Sequence, residues 1–113
     1  TGWCPGCNSE MSEVASRAKE FNGQAVTFVS LSAQNDEHGE PTTAFLREWQ
    51  QRHNIPFTVA ASPKDAGKNF FTPPLYIPNA VVIGKDGKLA FRAVCPGADS
   101  LFAEVKKALA KDN

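Results

Sequence analysis

The sequence predicts a single α/β domain spanning residues 1–113, and three observations carry that prediction. Apolar residues recur at helical spacing in three segments. Short runs rich in β-branched and aromatic residues lie between those segments. Apolar residues make up 42% of the chain and charged residues 21%, which is typical of a folded globular protein and excludes disorder.

Three helices are expected. The first covers about residues 6–20 and ends at Asn22-Gly23, and the second covers about residues 42–53. The third begins near Asp99-Ser100, which are residue types that cap helix N-termini. The apolar faces of the three helices comprise Met11, Val14, Ala15, Ala18 and Phe21, then Phe45, Leu46 and Trp49, then Leu101, Val105, Ala108 and Leu109.

The expected strands are short. Residues 25–32 read as a strand buried on both faces, as in a parallel sheet, and residues 57–61 as a shorter one. Residues 80–84 and 89–94 flank an Asp-Gly step, which predicts a hairpin. Between the strands predicted at residues 57–61 and 80–84, residues 64–72 are expected to carry a helical turn, and Pro73-Pro74 excludes regular structure.

Charge and hydropathy exclude two classes of function. Twelve basic residues balance twelve acidic ones, without the basic stripe that a nucleic-acid-binding protein normally shows. The longest apolar run is residues 80–83, far shorter than the roughly 20 residues of a membrane span. We therefore expect no nucleic-acid partner and no membrane span within these residues, which leaves an upstream anchor open.

The cysteines carry the chemistry. A thiol attacks as its thiolate, and Cys4 lies just before the first turn of the first helix, where free N–H groups and the helix dipole lower a thiol pKa. Pro5 suits that turn because it has no N–H to lose. Cys7 can reach back and resolve a mixed disulfide on Cys4, while Trp3 supplies an apolar wall.

Two other interpretations of the pair remain open on these residues alone. The motif could be half of a zinc site, but the other candidate ligands, Cys95, His38 and His53, have no usual zinc spacing. We therefore predict no metal. The pair could also be a purely structural disulfide.

Trp3-Cys4-Pro5-Gly6-Cys7, followed by Glu10-Met11, resembles the WCxxCxxE signature of TlpA/ResA-type thiol–disulfide oxidoreductases in the thioredoxin superfamily. Residues 77–83 and the following Lys85-Asp86-Gly87-Lys88 resemble a second segment of that family. The resemblance covers nearly the whole chain. It implies a thioredoxin-like fold, with a mixed central sheet flanked by helices.

The resemblance also implies roles for individual residues. Cys4 and Cys7 would be the redox pair, and Pro78 a cis-proline facing them, with the backbone of Ile77 holding substrate. Glu10 would assist proton transfer to Cys7, although a helix-capping carboxylate is an equally good interpretation.

Three further side chains have weaker assignments. Cys95 could be an accessory thiol, but burial as a small apolar side chain is the favoured prediction. His38 is assigned to structure or solvent in a polar loop. His53 is assigned likewise, at a helix end where a cation is favourable.

One departure from the family concerns the fold. An apolar central strand usually precedes the WCxxC motif, whereas only Thr1-Gly2 precedes Trp3 here. The neighbouring strands would then expose unpaired backbone groups, which is costly when they are buried. We expect the residues upstream of Thr1 to supply the missing strand, rather than another segment.

The function expected is disulfide exchange with protein thiol or disulfide substrates and an upstream redox partner, without a dissociable cofactor. The resemblance implies a periplasmic, cell-envelope or secreted location, with the cytoplasm as the alternative. Two alternative functions stay open. One is a peroxiredoxin-like or tryparedoxin/nucleoredoxin-like protein; a peroxidase needs an arginine placed to activate peroxide, and Arg92 is the only arginine near the later motifs. The other is a non-catalytic binding domain with a structural disulfide.

Overall fold

The computed structural model describes residues 1–63 and 76–111. In chain order the elements are α1 (Pro5–Arg17), a 3-10 turn (Ala18–Phe21), β1 (Val29–Ser32), α2 (Thr43–Arg52), β2 (Thr58–Ala61), β3 (Asn79–Ile83), β4 (Leu89–Val94) and α3 (Gly97–Ala110). The predicted α/β class and the predicted order of these elements are confirmed. The helical turn and the Pro-Pro step predicted within residues 64–74 lie outside the described residues.

The first residues of α1 and α2 are set by local capping groups. Cys4 is the N-cap of α1, with Pro5 as the first helical residue. Thr42 is the N-cap of α2, and its hydroxyl accepts a hydrogen bond from the Phe45 N–H at 3.1 Å. Both helices therefore begin within about a residue of their predicted starts.

The strands form two separate pairs. Strands β1 and β2 are parallel, with Val29 opposite Thr58, and strands β3 and β4 form the antiparallel hairpin predicted around Asp86-Gly87. Gly87 has the left-handed backbone, φ 80°, that this turn requires. Among the described residues no strand joins the pairs, so the single sheet expected is present as two small ones.

The predicted burial of residues 25–32 on both faces is wrong. Only residues 29–32 form the strand, and within it Ser30 and Ser32 are buried while Val29 and Leu31 are exposed. Val29 and Leu31 therefore share the exposed face of β1, and the strand edge opposite β2 is also unpaired within the part of the chain described here.

Helix α1 lies between two apolar clusters. On one side Val14 and Phe21 pack with the buried face of α3, whose most enclosed residue is Phe102. On the other side Ala15 packs with Trp49 and Ile55, which confirms Trp49 as a core residue. Burial on both sides holds the start of α1, and therefore Cys4 and Cys7, in a fixed position.

The start predicted for α3 is wrong by two residues, because the helix begins at Gly97 rather than near Asp99. No side chain of the preceding segment caps it. Instead, the Gly97 N–H donates to Glu10 Oε1 on α1, at 2.9 Å. A capping group so distant in sequence could not be read from the local pattern.

Candidate redox site

The site is built on the first turn of α1. The Cys4 side chain accepts a hydrogen bond from the Cys7 N–H, with nitrogen and sulfur 3.1 Å apart. The two sulfur atoms are within bonding distance of each other, and the Cα atoms are 5.2 Å apart, in the range of a disulfide. An N–H aimed at the Cys4 sulfur and the N-terminal end of the helix dipole both stabilise negative charge there.

Access to the two sulfurs is restricted. Cys4 is 7% exposed and Cys7 is 6% exposed. Cys7 lines a cleft of about 520 Å³ that runs between β1 and β3 and also includes Glu10 and Pro78 in its walls. Cys7 is therefore enclosed by elements from distant parts of the chain.

Pro78 lies against the Cys-Pro-Gly-Cys turn. The Ile77–Pro78 peptide bond is cis, as the resemblance implied. A Cβ placed on Gly6 would be 3.7 Å from Pro78 Cδ, so the proline ring faces the middle of the turn. The structure thus brings together Cys4, Cys7 and Pro78, which are separated in sequence.

Trp3 forms an exposed aromatic surface beside Cys4. Trp3 is 40% exposed, and its Nε1–H donates to Gln34 Oε1 at 2.8 Å. The ring stacks on the imidazole of His38, with ring centroids 4.5 Å apart. Sequence reasoning missed this partner because His38 belongs to a loop whose path no periodic pattern specifies.

Cys95 corrects a prediction. Its side chain is exposed rather than buried. The residue follows the end of β4 and has a left-handed backbone, φ 47°, while its N–H donates to Pro78 O at 2.7 Å. The exposed thiol therefore lies near the cis-proline.

His53 lies at the end of α2, as predicted, and it is buried, which agrees with its assignment to structure rather than to solvent. Its pKa is lowered by desolvation and secondarily by the neighbouring Arg52 charge. Burial therefore disfavours the cation that a helix end would otherwise favour. The ring nitrogens of His53 contact Ser12 and Asn8 on α1, a link that no spacing in the sequence indicated.

Two further observations concern metal binding and membrane insertion. No group of three or more His, Cys, Asp or Glu side chains within residues 1–63 and 76–111 is arranged to hold a metal ion. In the same residues, no helix has the length and apolar character needed to cross a membrane.

The fold and the cysteine site together define a redox protein of the thioredoxin superfamily. The sequence profile of the AhpC/TSA family matches residues 1–92, and the chain belongs to that family. This finding does not separate a TlpA/ResA type from other members. Among proteins with curated functions, none is significantly similar in sequence.

A solved structure with the same fold supports the class. It is the solution structure of a Neisseria meningitidis protein provisionally assigned as a thioredoxin, and the chain is similar to it with a TM-score of 0.75 and 25% sequence identity. The match covers 97% of this chain and 70% of the other one. The thioredoxin-like fold predicted from the sequence is thereby confirmed.

Proposed function

We propose that this chain exchanges disulfides with protein substrates through Cys4 and Cys7. The observation that carries the proposal is the Cys7 N–H donating to the Cys4 sulfur at the N-terminus of α1. In the reduced protein this arrangement favours the thiolate of Cys4 over its thiol. Cys4 is therefore the attacking sulfur and Cys7 the resolving one.

The exchange proceeds in two balanced steps. The Cys4 thiolate attacks one sulfur of a substrate disulfide, forms a mixed disulfide, and releases the other substrate sulfur as a thiolate that takes up a proton. The Cys7 thiol then loses its proton, and its thiolate attacks Cys4, forming the Cys4–Cys7 disulfide and releasing the second substrate thiol. Two electrons pass to the substrate, and an upstream dithiol partner restores the reduced protein.

The surface around the pair suits an extended polypeptide. Exposed Trp3 lies on one side of Cys4, and Ile77 and Pro78 lie across the Cys-Pro-Gly-Cys turn. We assign the backbone of Ile77 to strand-like hydrogen bonding with substrate and the indole of Trp3 to apolar contact. A cell-envelope or secreted location belongs to the same proposal, since stable protein disulfides, the substrates proposed here, form and persist in oxidising compartments.

Glu10 is assigned as an accessory group. It lines the same cleft as Cys7, and the Gly97 N–H donates to its Oε1. We assign its Oε2 to accept the Cys7 proton, directly or through a water molecule, when that thiol becomes the resolving nucleophile.

The test combines alkylation with substrate turnover. In the reduced protein, alkylation followed over pH and mapped by mass spectrometry should modify Cys4 selectively, with a midpoint well below the roughly 8.5 of a free thiol. Cys4→Ser should abolish reduction of a protein disulfide such as that of insulin. Cys7→Ser should instead trap a mixed disulfide on Cys4.

Cys95→Ser is the matched control, because exchange between Cys4 and Cys7 requires no third thiol. A loss of turnover in that variant would give Cys95 an accessory role. Equal reactivity of all three cysteines near the free-thiol value would reject the proposal and favour a binding domain with a structural disulfide. Oxidation by hydrogen peroxide that outpaces reaction with disulfides would favour the peroxiredoxin-like alternative.

A further inference from the structure

Asn8 ties down the segment that leads into α1. Its side-chain Nδ2 donates to Gly2 O at 3.0 Å and to Cys4 O at 2.9 Å. Both amide hydrogens are therefore used on the loop that carries Trp3 and Cys4. The orientation of this one carboxamide fixes the path of the backbone immediately before the attacking cysteine.

The same orientation determines the hydrogen-bonding roles of His53. Since Nδ2 of Asn8 donates to the loop, its Oδ1 is an acceptor, and His53 Nε2 lies 2.9 Å from it. The imidazole must therefore carry its hydrogen on Nε2. Its Nδ1 then accepts the hydroxyl hydrogen of Ser12, at 2.5 Å.

The surroundings of the imidazole disfavour its protonated form and hold its ring in place. His53 is 8% exposed, and Trp49 packs edge-on against its ring with centroids 4.4 Å apart. The charged groups around it are Arg52 and Glu48 on α2, with Asp36 paired to Arg52 from the preceding loop. From α1 the imidazole is faced by the uncharged Asn8 and Ser12.

We propose that His53 is a positioning residue for the attacking thiol, and that it acts through the Asn8 carboxamide. The Nε2–H of His53 holds Asn8 Oδ1, so that Asn8 Nδ2 holds the carbonyls of Gly2 and Cys4. Cys4 is thereby kept where its sulfur meets the Cys7 N–H. This inference rests on the proposed function of Cys4 as the attacking sulfur.

Loss of the Nε2 donor should loosen this chain of contacts. Asn8 Oδ1 would lose its short contact to His53 and, among the described residues, keep the longer one from Arg52 Nη1, at 3.4 Å, so its amide would be held less firmly against the loop. The Cys4 sulfur would then meet the Cys7 N–H less often, so its thiolate would be less stabilised. Protonation of His53 keeps the Nε2–H, so the position of the donor matters here rather than the charge.

Two variants that replace the imidazole of His53 by a side-chain amide, at different reach, separate this role from simple packing. In His53→Gln the amide nitrogen reaches the position of Nε2 and preserves the bond to Asn8. In His53→Asn the amide reaches only the position of Nδ1, near Ser12. Asn8→Ala breaks the same link from the other end, and Gln51→Leu, on the exposed face of α2, is the control.

The measurement is the rate of Cys4 alkylation as a function of pH in each reduced variant, together with its urea unfolding. We expect His53→Gln and Gln51→Leu to match the unmodified chain. In His53→Asn and Asn8→Ala, the rate at neutral pH should fall by about fivefold as the midpoint moves to higher pH, because the thiolate fraction sets the rate.

The results distinguish the inference from the function on which it rests. If Cys4 is not selectively reactive in the unmodified chain, the proposed function fails. If it is selective, but His53→Asn and Asn8→Ala give the same pH profile while unfolding more easily, the role of His53 is structural and the inference is overturned. Should His53→Asn not fold, Asn8→Ala against Gln51→Leu decides between the same two outcomes.

Discussion

At the scale of single residues, burial changes what a side chain can do. His53 lies at a helix C-terminus, where its sequence position favours a cation, yet it is enclosed between α1 and α2 and its pKa is lowered. Cys95 shows the reverse, because a cysteine expected in the core faces solvent. Neither outcome follows from residue type, since each depends on which element covers the position.

The burial of His53 predicts a specific loss of stability in acid. Its folded pKa is below the ordinary 6.5, so as the pH falls the unfolded chain binds a proton that the native chain does not. The free energy of unfolding contributed by this residue is therefore fully present above about pH 6.5 and declines as the pH falls towards the folded pKa. Urea unfolding between pH 8 and 5 should show this decline.

His53→Gln should flatten that slope, because glutamine does not titrate, whereas the same substitution at the exposed His38 should leave it intact. Equal slopes for His53→Gln and the unmodified chain would show that another group causes the acid loss.

At the scale of elements, helix ends are satisfied in two ways. Helices α1 and α2 carry their own caps, Cys4 and Thr42, directly before their first residues. Helix α3 follows Pro96, which supplies no capping side chain, and its first N–H is satisfied by Glu10. Glu10 therefore links α1, which carries Cys7, to α3, which packs against α1 in the same apolar cluster.

We expect Glu10→Ala to lower the free energy of unfolding by about 1 kcal/mol, the usual cost of losing an N-terminal cap. Glu10→Gln should cost less, because its side-chain oxygen can still accept from Gly97. Urea unfolding measures both. Glu13→Ala on the exposed face of α1 is the control, and a loss there as large as that in Glu10→Ala would contradict the capping role.

At the scale of the whole molecule, the cleft between β1 and β3 separates the two strand pairs of the described residues. Within the described residues, three buried side-chain polar atoms have no hydrogen-bond partner, and all three residues line this cleft: Thr1, Trp49 and Asn79. Polar groups left unpaired at an apolar cleft between two open strand edges are what an inserted strand would satisfy. The expectation that upstream residues supply a central strand therefore stays a prediction, with this physical support.

A chain extended before Thr1 by about six apolar, β-branched residues, a usual strand length, should have a higher urea midpoint than residues 1–113 alone. The amides of β1 and β3 should also exchange more slowly with deuterium. An extension of the same length containing two prolines is the matched control, since proline cannot donate to a strand ladder. Equal stability and exchange for both extensions would show that the cleft does not accept a strand.

Features that depend on neighbours along the chain could be predicted from the amino-acid sequence. The cysteine spacing before a helix, the apolar periodicity of α1 and the Asp-Gly turn of the β3–β4 hairpin are local patterns, and the structure confirms each of them. The resemblance of the two motifs added the cis-proline and the thioredoxin-like fold, which local spacing alone does not specify.

Features that depend on contacts between distant segments emerge from the tertiary structure. It buried His53 against Asn8 and Ser12, placed Glu10 at the start of α3 and stacked His38 on Trp3. Within the described residues it gave β1 a single neighbouring strand, β2. Those outcomes are set by which surfaces meet after α1 packs on both sides, and no periodicity encodes which surfaces will meet.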